Sequence, residues 1–492
     1  MNYLLVYIIY IGGFMSYISF LFFGFICITT LLYYCVPIKQ RPYILLIASV
    51  TFYLFADWKY SLCLFFIIIL TYFSAIFIDK NRKYKKLILV FYLILSAGSL
   101  FTIKYANYSI SMLSKITDKH FNILNIIVPL GVSFYTLQAI GYVVDIYREK
   151  YACEKNFLKF SLFMSYFPII VQGPISRYNQ LSEQLFIGHK FEYKNFKFGL
   201  QLALWGLFKK LVIANRASTF ADNIFNNYPN YFGLVIVFAI LLYTIQIYAD
   251  FSGCVDICRG VSQLFGIEII NNFDHPYFAV SIKDFWRRWH ISLSSWLRDY
   301  VYIPLGGNRN GTFKKHLNII LTFFISGLWH GVGIHYIVWG LYHGACQVIG
   351  EIIKKPKEKF ITFIKIDTSV YSYRLGQQVI TFILIAYSWL LFRANGFRAA
   401  VLMTKSIFVN FFCIEELETL FFSSKDFRIL LLAIVVLFIV SLLQSKFKIR
   451  EALSKQNLWF RWSIYVFAIF TIIILGVYGS GYNASDFLYM QF

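Results

Sequence analysis

Six of the eight histidines of this chain fall between positions 275 and 343, and one of them sits where a charge is least welcome. His330 lies in the stretch Ser326-Gly327-Leu328-Trp329-His330-Gly331-Val332-Gly333, within an otherwise uncharged apolar run. An ionisable side chain at membrane depth is costly and marks a functional site by default. Small residues on both sides allow a neighbouring helix or a substrate to approach closely. Imidazole titrates near neutral pH and can take a hydroxyl proton, as acyl transfer from a thioester would require, so His330 is a candidate base. A histidine that only hydrogen-bonds a neighbouring helix is the competing reading. His335 and His343, close to the junction with the next apolar run, read as packing or interfacial residues.

A second constellation precedes it. At 100° per residue, a helix over 281–300 puts Trp286, Trp289, His290, Leu293, Leu297 and Tyr300 on one face and Arg287, Ser294 and Arg298 on another. His290 then lies on the aromatic side, while Arg287 and Arg298 stand nearly in register and could hold an anion such as a phosphate. An interfacial helix with a Trp belt and snorkelling arginines explains the same pattern. The following Tyr302-Ile303-Pro304-Leu305-Gly306-Gly307-Asn308-Arg309 reads equally as a polar turn or as an amide-lined phosphate cradle. Asp250, at the end of the apolar run from 231, and Asp145 with Arg148, closing the run from 122, are either structurally paired or shape a cavity. The chain holds no G-x-S-x-G, H-E-x-x-H or G-x-x-x-x-G-K-[ST] motif, which disfavours serine hydrolase, zinc protease and P-loop chemistry.

The elements that must carry these residues are membrane helices. The chain of 492 residues is 59% hydrophobic, 21% aromatic and only 14% charged, far below the roughly 25% charged residues of soluble domains. A spanning helix needs about 20 apolar residues. Candidate runs lie near 15–36, 42–57, 60–78, 87–103, 122–147, 157–172, 195–214, 231–251, 316–336, 337–354, 376–393, 428–444 and 460–480. Lys209 and Lys210 interrupt one run and Gly173-Pro174 stops another, so some are expected to be re-entrant, leaving about eleven spans. The expected fold is therefore all-α and polytopic, with re-entrant and interfacial helices, in one domain over 1–492. The apolar run from Tyr3 to about Val36, without a basic leader, reads as a retained first helix.

The net charge of +22 comes from short basic clusters between apolar runs, among them Lys39 to Arg41, Lys80 to Lys86, Arg148 to Lys159 and Lys446 to Arg450. Such clusters orient helices and meet anionic lipid, which makes them cytoplasmic candidates and disfavours nucleic acid as a partner. The eight cysteines form no C-x-x-C pair and read as small apolar packing residues, with neither a disulfide frame nor a metal site.

The run Asn272-Phe273-Asp274-His275-Pro276-Tyr277, then the segment from Asp284 to Tyr300 with Trp286-Arg287-Arg288-Trp289-His290, then Ile303 to Arg309, and finally Gly327-Leu328-Trp329-His330-Gly331, resembles the membrane-bound O-acyltransferases. Within that family it is most similar to the alginate and peptidoglycan O-acetyltransferase type. Weaker matches at Gly131 to Arg148, Gly173 to Tyr178, Gly206 to Lys210 and Tyr248 to Gly253 extend the motif core over about 125–345, followed by a helical extension at about 376–492. The resemblance implies a ring of helices around a thinned central funnel, with His330 as the essential buried histidine and His290 as the second, motif-borne one. Trp286, Arg287, Arg298, Trp329, Asn308 and Asp250 are the candidate substrate-binding residues, with no bound cofactor. It further implies an acyl group moved from a cytoplasmic thioester, acetyl-CoA or an acyl-carrier protein, to a cell-surface polysaccharide or peptidoglycan. That transfer would occur across a bacterial cytoplasmic membrane, with an extracytoplasmic partner protein. D-alanyl transfer to teichoic acid is the related alternative. A proton-coupled transporter using His330, Asp250 and Asp145 is an alternative of another class, and no inverted repeat supports it.

Overall fold

The computed structural model describes residues 15–126, 128–412 and 414–478. The far N-terminal part of the first apolar run and Cys413 lie outside the described residues. Every candidate apolar run meets a helix, and among the described residues the only β-type pairing is a bridge between Phe273 and Trp289.

Contacts divide the chain into two compact units. The first holds α1 (Phe20–Cys35), α2 (Arg41–Leu54), α3 (Trp58–Lys80), α4 (Lys85–Thr117), α5 (Val132–Tyr147), α6 (Phe157–Ser165), α7 (Tyr178–Ile187) and most of α8 (Tyr193–Leu207). The second holds α9 (Asn215–Asn226), the larger part of α10 (Gly233–Leu264), α11 (Ile282–Arg288), α12 (Ile291–Leu297), α13 (Gly311–His330), α14 (Ile334–Ile352), α15 (Lys354–Phe363), α16 (Tyr371–Arg393), α17 (Phe397–Ser406), α18 (Ile414–Leu417), α19 (Lys425–Gln444), α20 (Ile449–Ser454) and α21 (Leu458–Leu475). Residues 254–264 of α10 belong to the first unit.

Six of these helices, α3, α4, α10, α16, α19 and α21, are long and apolar enough to cross a membrane. The sequence led to an expectation of about eleven spans. The difference arises where apolar runs do not become long apolar helices. The run at 157–172 is helical only to Ser165 before a series of turns, and 122–147 only from Val132. The run at 195–214 changes from α-helix to a π-helical stretch, Phe208–Ala214, at its two lysines. The segment 316–336 ends as a helix at His330, and its N-terminal turns carry Lys314, Lys315 and His316. Together the long apolar helices make this an all-α, polytopic membrane protein.

In the first unit, some buried side chains are hydrogen-bonded to backbone of distant segments. Gln138 donates to the carbonyl of Phe163 at 2.8 Å, and Tyr33 to that of Phe265 at 3.3 Å. Asp145 is ion-paired with Lys150 at 2.7 Å and accepts from Tyr151, so it serves as a structural partner. At a helix end outside the spans, the Lys85 ammonium bonded to Glu149 holds that carboxyl below the usual carboxylate range. No disulfide forms among the described cysteines.

In the second unit, α13 and α14 pack backbone to backbone. A Cβ at Gly327 would overlap the carbonyl oxygen of Tyr336, and one at Gly340 the carbonyl oxygen of Phe323. These glycines bring the two helices together like the small-residue interfaces of other membrane helices, which sets Trp339 of α14 beside His330 and His343 beside Phe323 of α13.

Candidate active site

His330 is buried and is the last residue of α13. The sequence reading placed it inside one helix over 316–336. The chain instead leaves the helix at Gly331, turns through Val332 and Gly333, and re-enters at Ile334. Gly333 has φ +138°, a conformation few residues besides glycine adopt, and a Cβ at Gly331 would strike the Tyr336 ring. The two glycines thus break the helix beside the histidine. Trp339 and Phe392 flank the His330 ring edge-on, at centroid distances of 4.9 and 5.6 Å, and Trp329 contacts it at 4.8 Å.

His290 is also buried, and it too sits at a break. The continuous amphipathic helix expected over 281–300 is two short helices, α11 and α12, with His290 between them at φ +44°. A non-glycine residue in this left-handed region costs of order 1–3 kcal/mol and persists only where surroundings enforce it. The enforcement is visible in the preceding motif. The Asn272 carbonyl accepts from the amide of Ile291 at 3.1 Å, and its side-chain oxygen accepts from that of Ser292 at 2.9 Å. The Phe273–Trp289 bridge and the Asp274 amide, donating to the Arg288 carbonyl at 2.9 Å, extend the clamp. Ser281 caps the start of α11 through the Asp284 amide, and Arg288 pairs with Asp284 at 3.0 Å. The conformation turns the His290 ring onto Phe251, at 4.8 Å, and toward Trp329, at 6.3 Å. Trp329 therefore contacts both histidines, and the structure brings together the pair the sequence singled out.

The break changes the arginine reading. With the helix interrupted at His290, the 100° register that aligned Arg287 with Arg298 no longer holds. Both are exposed, and Arg298 pairs with the adjacent Asp299 at 2.9 Å. Asn308 is exposed as well, in a turn that uses most of its own amides. Those of Leu305, Gly306, Gly307 and Arg309 donate to the carbonyls of Val301, Ile303, Tyr302 and Gly306. The segment is a polar turn; it does not have an open row of donors. Trp286 is buried, and its indole N–H donates to His343 Nδ1 at 3.2 Å.

Asp250 is buried and precedes Phe251, whose ring packs against His290. It forms a buried ion pair with Lys210 at 2.5 Å, while Lys209 donates to Ser252 at 2.9 Å. A Cβ at Gly253 would approach the Gly206 carbonyl to 2.9 Å. The π-helical stretch and α10 are thereby locked together on either side of Phe251, the ring against His290. Two weak sequence matches, Gly206 to Lys210 and Tyr248 to Gly253, thus form one structural brace.

Trp389 and Phe392 escaped the sequence reading, which assigned α16 to a C-terminal extension. Both belong to the cage, with Trp389 5.0 Å from Trp289 and Phe392 5.6 Å from His330. Their i, i+3 spacing, and the i, i+4 spacing of Trp339 and His343, are the signals in the chain that match this placement.

Because the Asn272 side chain clamps the His290 turn, Asn272→Ala should remove that acceptor from the Ser292 amide and destabilise the protein by about 1–3 kcal/mol. Displacing His290 should lower turnover by roughly 10- to 100-fold. Thermal unfolding of the purified protein and its turnover number measure the two effects separately, and unaltered turnover would show that the His290 turn does not depend on the clamp.

The family model for membrane-bound O-acyltransferases matches residues 154–394, a span that includes both histidines, the brace and the α16 residues of the cage. A peptidoglycan O-acetyltransferase of Helicobacter pylori is 34% identical over 392 residues, covering 74% of this chain and 73% of the relative. A "Probable alginate O-acetylase" of Azotobacter vinelandii is 33% identical over 423 residues, covering 84% and 82%. A teichoic acid D-alanyltransferase of Bacillus subtilis is more distant, 28% identical over 48% of this chain and 62% of the relative. The two nearer relatives are matched over more than two thirds of their length, and the chain belongs to the membrane-bound O-acyltransferase family and is an O-acyltransferase.

Proposed function

We propose that this protein moves an acetyl group from a cytoplasmic thioester donor, acetyl-CoA or an acetylated carrier protein, across a bacterial cytoplasmic membrane to hydroxyls of a cell-surface polysaccharide or peptidoglycan. The observation that carries the reading is the buried pair His330 and His290, each held at a helix break and each in ring contact with Trp329. A ring displayed at the end of a helix, within an aromatic cage, is a base shielded from bulk water. The nearer relatives, a peptidoglycan O-acetyltransferase and a probable alginate O-acetylase, support acetyl as the acyl group and a polymer as the acceptor.

In the transfer, an acceptor hydroxyl oxygen attacks the thioester carbonyl carbon and its proton passes to a His330 ring nitrogen. The carbonyl π electrons move onto oxygen, then return as the C–S bond breaks. The thiolate leaves with the proton from the imidazolium, giving an ester and a free thiol. His290 assists from the facing element, with Trp329 and Trp286 as walls. The exposed Arg287, Arg298 and Asn308 are available to an anionic part of the donor, and Asp250 contributes through its brace on Phe251. A separate extracytoplasmic protein receives the acetyl group or completes its delivery.

Proteoliposomes carrying the full chain, given radiolabelled acetyl-CoA and a soluble polysaccharide or peptidoglycan fragment, should place alkali-labile label on the fragment and release CoA. Label on the fragment only with a D-alanyl carrier protein would transfer the assignment to D-alanylation. No consumption of any thioester would favour a transporter.

A further inference from the structure

The cage around His330 contains more hydrogen-bond donors than it uses. Because the Trp286 indole donates to His343 Nδ1, that nitrogen is unprotonated, and a neutral ring then carries its proton on Nε2. The Nε2–H has no hydrogen-bond partner among the described residues, although His343 is fully buried. The same is true of the indole nitrogens of Trp339 and Trp389 and of the Ser326 hydroxyl, each fully buried. These groups are contiguous. The Trp339 ring lies 5.0 Å from His343, 4.9 Å from His330 and 6.1 Å from Trp389, and Ser326 is one turn before His330 on α13.

Buried donors are nearly always satisfied, and an unsatisfied one calls for a bound partner or a functional reason. Three of these four groups can only donate, so what they await is an acceptor atom. The ring contacts of the cage are aromatic, which favours an acceptor that is neutral when it arrives and gains charge only during reaction. We propose that His343 Nε2–H and Trp339 Nε1–H, with Trp389 and Ser326 beside them, form the pocket for the acyl carbonyl of the thioester. The two N–H groups hold its oxygen as negative charge builds during attack. The inference rests on the acyl-transfer reading above and makes His343, which the sequence presents as a packing residue, a second functional group on α14.

The test uses the full-length protein in lipid nanodiscs with acetyl-CoA as donor. His343→Asn keeps an acceptor near Nδ1 for Trp286 and deletes the Nε2 donor. His343→Gln reaches the Nε2 position with an amide donor and gives up the Nδ1 acceptor. Loss of a donor to a developing oxyanion lowers kcat by about 10²-fold or more, so His343→Asn and Trp339→Phe should each show that loss with KM for acetyl-CoA within twofold of the wild type. His343→Gln should retain most of the rate. Since the Nε2–H has no partner in the protein, His343→Asn should melt at or above the wild-type temperature. Wild-type turnover in His343→Asn with loss in His343→Gln would overturn the proposal and leave His343 as a structural partner of Trp286. Equal losses in both, with lowered melting temperatures, would overturn it in favour of packing. Full activity of His330→Gln would overturn the acyl-transfer reading itself, whatever the His343 variants do.

Discussion

Replacing His330 by glutamine or alanine is expected to reduce O-acylation by about 10²- to 10⁴-fold, the range that a positioned general base contributes. His330 ends α13 beside the Gly331–Gly333 break, and its ring is held by Trp329, Trp339 and Phe392. Glutamine retains much of the volume and a polar end but cannot take the proton, so the loss should appear in turnover rather than in folding. Ester-bound acetate released from the cell envelope by mild alkali, compared at equal membrane levels of wild type and variant, measures it in cells. CoA release from acetyl-CoA measures it in proteoliposomes. Unchanged acetylation in His330→Ala would remove this histidine from the mechanism. His290→Ala tests the companion residue in the same assay, and a smaller loss there would assign it to assisting the base.

The second large effect concerns stability. Lys210 and Asp250 are both almost fully buried and ion-paired. Removing one partner of such a pair leaves a desolvated charge without its counterion, at about 3–5 kcal/mol, whereas replacing both with apolar groups of similar size is often neutral. Asp250→Leu and Lys210→Met should therefore each lower the unfolding temperature of the purified protein markedly, and the double variant should recover most of the loss. A loss in the double variant equal to the sum of the two single losses would show that each residue acts through other neighbours. Activity adds a separate test of position. The pair lies one residue from Phe251, whose ring packs edge-on against His290 at 4.8 Å. If the brace positions His290, the double variant should regain stability while its turnover stays below the wild type.

Much of this protein is legible along the chain, for specific reasons. Apolar runs of about 20 residues declare membrane helices because lipid leaves backbone groups no other partner, and every run of that kind meets a helix here. The two histidines were also legible, one as an ionisable group in an apolar run and the other as part of a specific motif. Where the reading departed from the structure, periodicity was the cause. A 100° step over 281–300 assumes an unbroken helix, yet Asn272, 18 positions before His290, accepts from the amides of Ile291 and Ser292 and holds His290 out of helix. The alignment of Arg287 with Arg298 ended with that break. The helix through His330 ends earlier than the apolar run for a related reason, two glycines whose effect depends on the Tyr336 ring and on backbone conformation.

The remaining distinction is between local and non-local information. Composition and hydropathy alone pointed to a polytopic helical membrane protein, and the resemblance of its motifs to the membrane-bound O-acyltransferases pointed to acyl transfer and to His330 and His290, because solvation and motif chemistry are properties of short segments. Tertiary structure decided that Trp329 contacts both histidines, that Asp250 braces Phe251 with Lys210, and that Trp389 and Phe392 of a distant helix close the cage. It also decided that His343 pairs with Trp286 and keeps a donor unused. Those facts depend on close approach between segments as many as 100 residues apart, such as Trp289 and Trp389, and packing complementarity of that kind leaves no period in the chain to read.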